Sequence, residues 1–246
     1  MLEMATRDLP PDEARSLEPG SEHYTAYVGP PGDYDSMGAT QFRLLCTLGL
    51  RENHHLLDFG CGSLRAGRLL IPYLKAGHYC GIDPNRWLID DAVEREIGAD
   101  LARIKKPQFF HHDTFTCREP GIRFDYILAQ SIFSHCGADL VGTILAEFEA
   151  SLADDGIVAA TFIHSPDERA AKTGEGWVYP ECVSHPPESV AGWVESANLA
   201  GARIPWYHPR QSWWLLARDP KNLPRPDQHA LLRGAVLTDP ASSPNP

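Results

Sequence analysis

The feature that most constrains the fold is an apolar run that ends in an acidic residue and two closely spaced glycines, HLLDFGCGSLRAGRLLIPYL at residues 55–74. The run before the glycines predicts a buried strand, and the amphipathic segment Leu64–Leu74 predicts a helix. Gly60 and Gly62 carry no Cβ, so the backbone between the two elements can turn sharply and approach a ligand closely. A strand, a glycine-rich turn and a helix in this order are typical of a site that holds a nucleotide-like cofactor.

Strands and helices alternate along the rest of the chain. Strands are predicted over His55–Phe59, His78–Ile82, Gln108–His112, Tyr126–Gln130, Ile157–Ile163, Arg203–Tyr207 and Trp213–Ala217. Helices are predicted over Gly38–Leu48, Leu64–Leu74, Arg86–Ile97, Ala138–Leu152 and Pro187–Asn198. The early strands are continuous apolar runs, as expected where helices cover both faces of a sheet. We therefore expect an α/β fold with a doubly wound, seven-stranded, Rossmann-like sheet, mostly parallel and closed by an antiparallel edge hairpin.

Charge and cysteine usage exclude several classes of partner. The net charge of −11, from 22 Lys+Arg and 33 Asp+Glu, disfavours DNA and RNA, although it leaves a local basic patch open. No apolar stretch approaches the roughly 18 residues of a membrane-spanning helix. The six cysteines show no C-x-x-C pair and no zinc-ligand spacing, so we expect reduced core residues and no metal. These features indicate a cytoplasmic protein that does not bind membranes.

The residues of the glycine turn decide between two kinds of cofactor. A dinucleotide site requires G-x-G-x-x-G, but the third glycine position holds Arg65, which we expect to be a solvated helix residue. Asp58 lies directly behind the turn, where a carboxylate opposes a pyrophosphate and suits a ligand that carries an ammonium group. The turn therefore favours a cationic or zwitterionic cofactor.

The ends of the next two strands carry further acidic residues. Asp83, in YCGIDPNRW, can accept hydrogen bonds from both ribose hydroxyls of an adenosine. Asp113, in FFHHDTF, can accept from the exocyclic amine of adenine, with Phe115 available to pack on the ring. The alternatives are that Asp83, followed by Pro84, caps a helix, and that Asp113 is an ordinary turn residue.

With these motifs the chain resembles the class I S-adenosylmethionine-dependent methyltransferases of the small-molecule type. The resemblance covers residues 54–163 and rests on LLDFGCGS, GIDP, HHDTF, FDYILAQSIFSH and LADDGIVAATFI. The family commonly has a third glycine where this chain has Leu64, which leaves the backbone path after Ser63 open. The resemblance implies S-adenosyl-L-methionine (SAM) as cofactor. It also implies a set of cofactor-binding residues: Asp58, Gly60, Cys61, Gly62, Asp83, Pro84, Asp113, Thr114 and Gln130.

Two histidines at predicted strand ends are the candidate general bases, because imidazole titrates near neutral pH. His135 follows the fourth strand, and His164 follows the fifth. The alternative for His135 is a histidine that only satisfies loop carbonyls. The N-P-P-Y-like tetrapeptide of adenine N6 and glutamine amide methyltransferases is absent here, which disfavours those acceptors.

Aromatic and polar residues around these strand ends are candidates for binding the acceptor. The long segment 165–186 is a candidate functional loop. The predicted acceptor-binding residues are Ser131, Trp177, Tyr179, His185 and Tyr27. Aromatic and imidazole groups at a cleft rim suit a ring-shaped acceptor such as a sugar or a phenol. The alternative for Trp177 and Tyr179 is a hydrophobic plug that holds the loop in place.

These predictions divide the chain into four segments. Residues 1–22 are expected to form a flexible leader, 23–50 an N-terminal lid and helix, 51–218 the methyltransferase domain and 219–246 a Pro-rich tail. The predicted function is methyl transfer to an oxygen, or a nitrogen, of a small molecule such as a sugar or natural-product intermediate. An NAD-dependent oxidoreductase or epimerase and a non-catalytic SAM-binding partner subunit are the alternatives.

Overall fold

A seven-stranded sheet forms the centre of the computed structural model, which describes residues 5–118 and 120–234. The strands are β1 Leu56–Phe59, β2 Tyr79–Ile82, β3 Gln108–Phe110, β4 Phe124–Ala129, β5 Leu152–Phe162, β6 Ala200–Ile204 and β7 Ser212–Ala217. Their order across the sheet is β3-β2-β1-β4-β5-β7-β6. The pairings make β1 to β6 run in one direction and β7 in the other. The predicted fold class is therefore confirmed.

The helices of the described residues cover both faces of this sheet. They are α1 Pro11–Ala14, α2 Tyr24–Tyr27, α3 Tyr34–Thr47, α4 Gly67–Tyr73, α5 Arg86–Ala92, α6 Gly98–Lys105, α7 Ala138–Ser151 and α8 Pro187–Ser196. A π-helical turn over Val93–Ile97 separates α5 from α6, so the single helix predicted over Arg86–Ile97 is interrupted, and α6 is an element that the sequence pattern missed. None of the helices in the two described ranges is long and apolar enough to span a membrane.

Alternation along the strands divides the core into two clusters, one on each face of the sheet. In β7, Trp214 packs in the cluster that contains Phe148 of α7, and Trp213 packs in the cluster that contains Leu44 of α3. Successive side chains of a strand point to opposite faces, so this separation follows from period-2 geometry. The antiparallel pairing of β6 with β7 confirms the edge hairpin.

Two strands differ clearly from the prediction: β5 begins at Leu152 instead of Ile157, and the first strand of the hairpin is displaced. The sequence predicted Arg203–Tyr207, whereas β6 spans Ala200–Ile204 because Ala200 pairs with Ala217 and Ile204 with Trp213. Register with β7, rather than local hydrophobicity, sets the bounds of this short edge strand.

The N-terminal segment packs against α5 from outside the strand pattern. Arg7 forms an ion pair of 2.7 Å with Asp91, and Ala14 is completely buried. The described part of the predicted leader, residues 5–22, is thus held to the domain by contacts. The division into leader, lid, domain and tail stays a prediction, and its residues 1–4 and 235–246 lie outside the described part of the chain.

Candidate functional site

A cavity of about 300 Å³ opens at the carboxyl ends of β1, β2 and β4. The chain reverses its direction of winding between β1 and β4, and open α/β sheets bind ligands at this switch point. Eleven of the predicted site residues line the cavity: Tyr27, Gly60, Gly62, Asp83, Pro84, Asp113, Gln130, Ser131, His135, Trp177 and Tyr179. The topology therefore brings together residues from six separate stretches of sequence.

The glycine turn after β1 has a conformation that other residues adopt only with strain. Gly60 has φ of +73°, and a Cβ at this position would collide with the side chain of Ile132. Leu64, where the family commonly has glycine, also has a positive φ of +56°. Left-handed backbone costs an L-residue about 1–2 kcal/mol, and the completely buried Leu64 side chain offsets that strain. The backbone at Leu64 therefore has the left-handed conformation that a glycine would adopt there. As a result, α4 begins at Gly67 instead of the predicted Leu64.

Asp83 links the turn to the end of β2. Its Oδ2 accepts a hydrogen bond of 3.0 Å from the backbone N–H of Gly62, and its Oδ1 accepts one of 2.8 Å from the N–H of Asn85. Burial raises the pKa of the Asp83 carboxyl, and these N–H donors oppose that rise. The carboxylate is fixed in place at the cavity wall with lone pairs remaining for a ligand.

Asp58 lies deeper, behind the turn. Its Oδ2 accepts a hydrogen bond of 2.7 Å from the Tyr79 hydroxyl. Complete burial raises its pKa to about 6, although the Tyr79 hydrogen bond and the nearby Arg65 favour the charged form. A carboxylate held there at neutral pH is costly unless a cationic group joins it.

A small side chamber of about 30 Å³, here called the polar recess, adjoins the main cavity. Its lining residues are Val28, Gln41, Asp58, Gly60, Cys61, Arg65, Ala66 and Gln130. Of the predicted cofactor residues, Asp58 and Cys61 line this recess and not the main cavity, and burial raises the pKa of the Cys61 thiol. Arg65 lines both chambers. The expectation that Arg65 is a solvated helix residue is wrong, because the positive φ of Leu64 turns the chain and places Arg65 beside the glycine turn.

His135 is the cavity residue best suited to accept a proton. Its Nδ1 hydrogen-bonds the carbonyl of Glu181, so Nδ1 carries the proton and Nε2 carries the lone pair. Burial lowers the pKa of the His135 imidazole, and the Glu181 hydrogen bond only partly opposes this. The ring is therefore neutral at pH 7. Among the described residues, Nε2 has no hydrogen-bond partner.

Four aromatic side chains of the cavity lining are linked by ring contacts into one group, here called the aromatic wall, and two of them contact this imidazole. They are Tyr27, Phe115, Trp177 and Tyr179. The His135 ring centroid lies 5.5 Å from that of Trp177 and 5.0 Å from that of Tyr179. Trp177 is 45% exposed, which is unusual for so large an apolar side chain. The Tyr179 hydroxyl donates a hydrogen bond to the carbonyl of Tyr27 and so joins the loop 165–186 to α2.

Backbone strain is concentrated around the cavity. Phe115 and Ser131 both line it and have positive φ values of +60° and +62°. The N–H of Ser131 donates to Thr161 at 2.8 Å, and its hydroxyl accepts from Gln211 at 2.9 Å. Strained non-glycine residues persist where neighbouring contacts hold them, typically at ligand sites.

The structure does not place His164, His185 or Thr114 in the cavity lining. His164 donates from Nδ1 to the carbonyl of His185 at 2.9 Å and accepts at Nε2 from the Trp214 indole N–H at 2.9 Å. Both of its ring nitrogens are thus occupied, and the His164 imidazole has no lone pair for catalysis. His185 is buried, with Nε2 on the carbonyl of Cys136, and Thr114 contacts the His112 ring. The two described ranges contain no group of side chains that could hold a metal ion.

Several lining residues were missed as site residues by the sequence analysis: Val28, Gln41, Arg65, Asn85, Leu88, His112 and Ile132. Asn85 directly follows the Asp83 motif and could have been found by extending it. Gln41 could not be found by extending a motif, because it lies on α3 before the first strand. Only packing brings that helix to the glycine turn.

Comparisons with known proteins agree with this geometry. Residues 57–158 match the family model of a methyltransferase domain. The fold is similar to magnesium protoporphyrin IX methyltransferase from Synechocystis PCC 6803, solved with bound SAM, at 12% identity over 77% of this chain and 81% of that chain, with a TM-score of 0.59. It is also similar to a S-adenosylmethionine-dependent methyltransferase from Clostridium acetobutylicum ATCC 824, at 11% identity over 75% of this chain and 92% of that chain, with a TM-score of 0.58.

A third similar structure is DesVI from Streptomyces venezuelae, at 14% identity over 76% of this chain and 92% of that chain, with a TM-score of 0.56. At such identities the likeness is one of fold. Together with the domain match it confirms the resemblance to the class I SAM-dependent methyltransferases.

Proposed function

From the premise that residues 57–158 form a methyltransferase domain, we propose that the protein transfers a methyl group from SAM to an oxygen, or a nitrogen, of a small-molecule acceptor. The observation that carries the proposal is a single cavity in which the ends of β1 and β2 face a neutral imidazole and an aromatic wall. The strand ends have the chemistry for an adenosine-type cofactor, and the imidazole has the chemistry for an acceptor with an exchangeable proton.

The residues at the first end fit the cofactor. Gly60 and Gly62 present backbone without a Cβ at the cavity wall, and the Asp83 carboxylate can accept hydrogen bonds from ribose hydroxyls. Asp113 and Phe115 line the same cavity for the adenine ring. SAM supplies a methyl group made electrophilic by its sulfonium. This chain's part is to bind the cofactor, to exclude water and to hold the acceptor in line with the methyl group.

His135 is proposed as the general base. Its Nδ1–H is fixed by the Glu181 carbonyl, so Nε2 can receive a proton from an acceptor hydroxyl or amine as the methyl group arrives. The flanking Trp177 and Tyr179 rings restrict the imidazole and shield it from solvent. Positioning and proton removal then act together.

The acceptor is proposed to contain a ring. Trp177 and Tyr179 stack with an interplanar angle of 18°, which gives a flat surface beside the base. Flat apolar surfaces bind sugars and phenols through their ring faces. Oxygen is the preferred target, because a hydroxyl is a poor nucleophile until a base removes its proton, whereas a neutral amine already has a lone pair that can attack the methyl group. A sugar or a phenolic natural-product intermediate meets these requirements.

Location and partners are proposed from the cysteines, the net charge and the cavity lining. The six cysteines all lie in described residues and form no disulfide bond, which supports the reducing environment of the cytoplasm. The net charge of −11 supports a small-molecule acceptor over RNA or DNA. The segment 23–50 is proposed to act as a lid, since Tyr27 and Val28 line the cavity from outside the sheet.

Calorimetric titration of the full chain with SAM, S-adenosylhomocysteine (SAH) and NAD tests the cofactor first. We expect binding of SAM and SAH and none of NAD, whereas preference for NAD would support the oxidoreductase alternative and contradict the proposal. Incubation with SAM and a library of sugars, phenols and amines, read by mass spectrometry, then tests turnover. Tight SAM binding without methylation of any library member would favour the non-catalytic subunit.

A further inference from the structure

Residues 174–183 of the long loop, here called the pairing segment, run alongside the chain at His135. The N–H of Val178 donates a hydrogen bond of 2.9 Å to the carbonyl of His135. Two residues further along, the N–H of Gly137 donates one of 2.8 Å to the carbonyl of Gly176. These two bonds flank an isolated antiparallel bridge, as in a pair of antiparallel strands. The pairing segment therefore holds the backbone of His135 as a neighbouring strand would.

The pairing segment also holds the side chain of His135. Its Glu181 carbonyl accepts the hydrogen bond from Nδ1, and this bond fixes which ring nitrogen carries the proton. Trp177 and Tyr179, whose rings contact the imidazole, belong to the same segment. One stretch of chain thus fixes the tautomer of the proposed base and carries two rings of the aromatic wall, so a displacement of this stretch would disturb both.

The first turn of α7 anchors the pairing segment. The N–H of Gly176 donates to both carboxylate oxygens of Asp139, at 3.0 Å to Oδ1 and 3.1 Å to Oδ2. At Gly137, directly before α7, a Cβ would lie 2.4 Å from the carbonyl oxygen of Gly174. Among the described residues, the exposed Asp139 carboxylate has no other hydrogen bond and no ion pair. The pairing segment is therefore the neighbour that loss of this carboxylate would release.

The charge of Asp139 does not account for the state of the imidazole. Burial is the largest cause of the lowered pKa of His135, and the charge that lowers this pKa further is that of Arg210. Removing a nearby carboxylate would lower an imidazole pKa, whereas releasing the pairing segment would expose the ring and raise it. The two effects have opposite signs, so a measurement of the His135 pKa separates them.

We propose that Asp139 is a positioning residue, which anchors the pairing segment and through it fixes the orientation and tautomer of His135. The inference rests on the proposed function, because it concerns the residue assigned there as general base. Asp139 itself lines neither the main cavity nor the polar recess, so it acts on the acceptor end only through the segment that it holds.

Nuclear magnetic resonance of the full chain with isotope-labelled histidine rings tests the proposal without an acceptor. The signals of His135 are identified by their loss in His135→Asn. In the unmodified protein, the neutral ring is expected to carry its proton on Nδ1. In Asp139→Ala, the pKa of His135 should rise towards the ordinary value near 6.5 as the ring becomes exposed. The form protonated on Nε2 should then appear, because the Glu181 carbonyl no longer fixes the tautomer.

Two further variants separate the anchor from the charge. Asp139→Asn keeps an oxygen that can accept from the N–H of Gly176, so it should retain the tautomer and pKa that His135 has in the unmodified protein. Gly137→Ala keeps the Asp139 carboxylate, but its Cβ collides with the pairing segment. It should therefore change His135 in the same direction as Asp139→Ala.

Asp167→Ala is the matched control. Asp167 is another exposed aspartate of the long loop, and it accepts two backbone N–H bonds of 2.9 Å within its own turn. It has no hydrogen bond to the pairing segment, so its loss should leave His135 unchanged. Unchanged signals of His164 show in each variant that the fold is intact.

Turnover and cofactor binding complete the test. Asp139→Ala should lower kcat about 10- to 100-fold with any acceptor that the unmodified protein methylates, as expected for a displaced catalytic group. Its affinity for SAH, measured by calorimetry, should not change.

The proposal is overturned if His135 keeps its tautomer and pKa in Asp139→Ala and Gly137→Ala, if Asp139→Ala lowers that pKa, or if Asp167→Ala has the same effect. Failure of the unmodified protein to bind SAM would instead overturn the proposed function. The resonance measurements would still decide whether Asp139 positions His135, so the two failures are distinguishable.

Discussion

The two ends of the cavity are built differently. At the cofactor end, Asp83 is 8% exposed and is hydrogen-bonded to the backbone of the glycine turn. At the acceptor end, Trp177 is 45% exposed and belongs to the loop 165–186. Strand ends and a strained turn fix the polar groups of the first end, whereas a loop supplies the apolar surface of the second. A rigid polar end suits a ligand that does not vary, and a loop-borne wall suits an acceptor that can differ between related proteins.

The largest expected effect tests whether the acceptor end carries the chemistry. His135→Asn removes the base, so kcat is expected to fall by about 10²- to 10⁴-fold, the usual contribution of general base catalysis. Cofactor affinity should not change, because His135 is assigned to the acceptor and makes no hydrogen bond to Asp83 or the glycine turn. Single-turnover rates and SAH titration measure the two effects. His164→Asn is the matched control, since that imidazole is occupied by His185 and Trp214.

The His164 control is expected to turn over at close to the unmodified rate. Equal activity of both variants would mean that the acceptor end acts by positioning alone. The unmodified protein should also lose activity as the pH falls, because a protonated His135 cannot accept a proton. Its pKa is lowered by burial, so this loss is expected below the ordinary histidine range near 6.5.

The next effect tests the strain of the glycine turn and needs no ligand. Leu64→Ala is expected to cost about 2–5 kcal/mol of unfolding free energy through lost packing. Leu64→Gly loses the same packing but relieves the left-handed backbone, so it should be more stable than Leu64→Ala by about 1 kcal/mol. Chemical denaturation measures both variants.

Leu70 provides the matched control for that pair. It is equally buried but lies within α4, where glycine costs about 1 kcal/mol relative to alanine. Leu70→Gly should therefore be less stable than Leu70→Ala, the reverse of the order at residue 64. The same order at both positions would mean that the turn after β1 is not strained.

A smaller effect tests the fixed polar groups of the cofactor end. Asp83→Ala is expected to weaken SAH binding by about 1–3 kcal/mol through the loss of charge-assisted hydrogen bonds. Asp125→Ala is the control. Asp125 also accepts a hydrogen bond from a backbone N–H, that of His55, but it lies near the amino end of β4, away from the carboxyl ends that form the cavity. Its SAH affinity should be that of the unmodified protein. If Asp83→Ala binds SAH normally, the ribose lies elsewhere.

The smallest effect concerns the pH dependence of stability at Asp58. Its folded pKa of about 6 exceeds the ordinary value of 3.8, so the folded state holds the proton more tightly. The stabilisation is fully present below about pH 4 and is lost as the pH rises through about 6. The Asp58→Asn variant has no carboxyl group to ionise at this position, so its stability does not fall as the pH rises. It should be more stable than the unmodified protein at pH 8, by about 1–2 kcal/mol, but not at pH 4.

Thermal or chemical unfolding at the two pH values measures this difference, and SAH titration should show that the same variant binds more weakly. Asp113→Asn, an exposed residue at the cavity mouth, should change stability by less than about 0.5 kcal/mol at either pH. If the Asp58→Asn advantage is the same at both pH values, burial of the Asp58 charge is not its cause.

The cofactor residues at the strand ends are easier to locate from the sequence than the residue that serves as base. Gly60, Gly62 and Asp83 were found because each directly follows a short apolar strand, and the carboxyl ends of parallel strands meet at one edge. His135 and His164 looked equivalent by that criterion. They differ because the indole N–H of Trp214, fifty residues from His164 in sequence, donates to Nε2 of His164. Nε2 of His135 has no such partner among the described residues.

The sequence alone determined the sheet, the glycine turn and the acidic strand ends, since hydrophobic periodicity and local backbone preferences act over a few residues. Tertiary structure alone decided that Arg65 turns inward, that α3 brings Gln41 to the recess, and which histidine keeps a free nitrogen. These outcomes depend on close packing between distant segments, such as Gly38 against Arg65. No local pattern encodes such contacts, because they exist only when the elements are assembled.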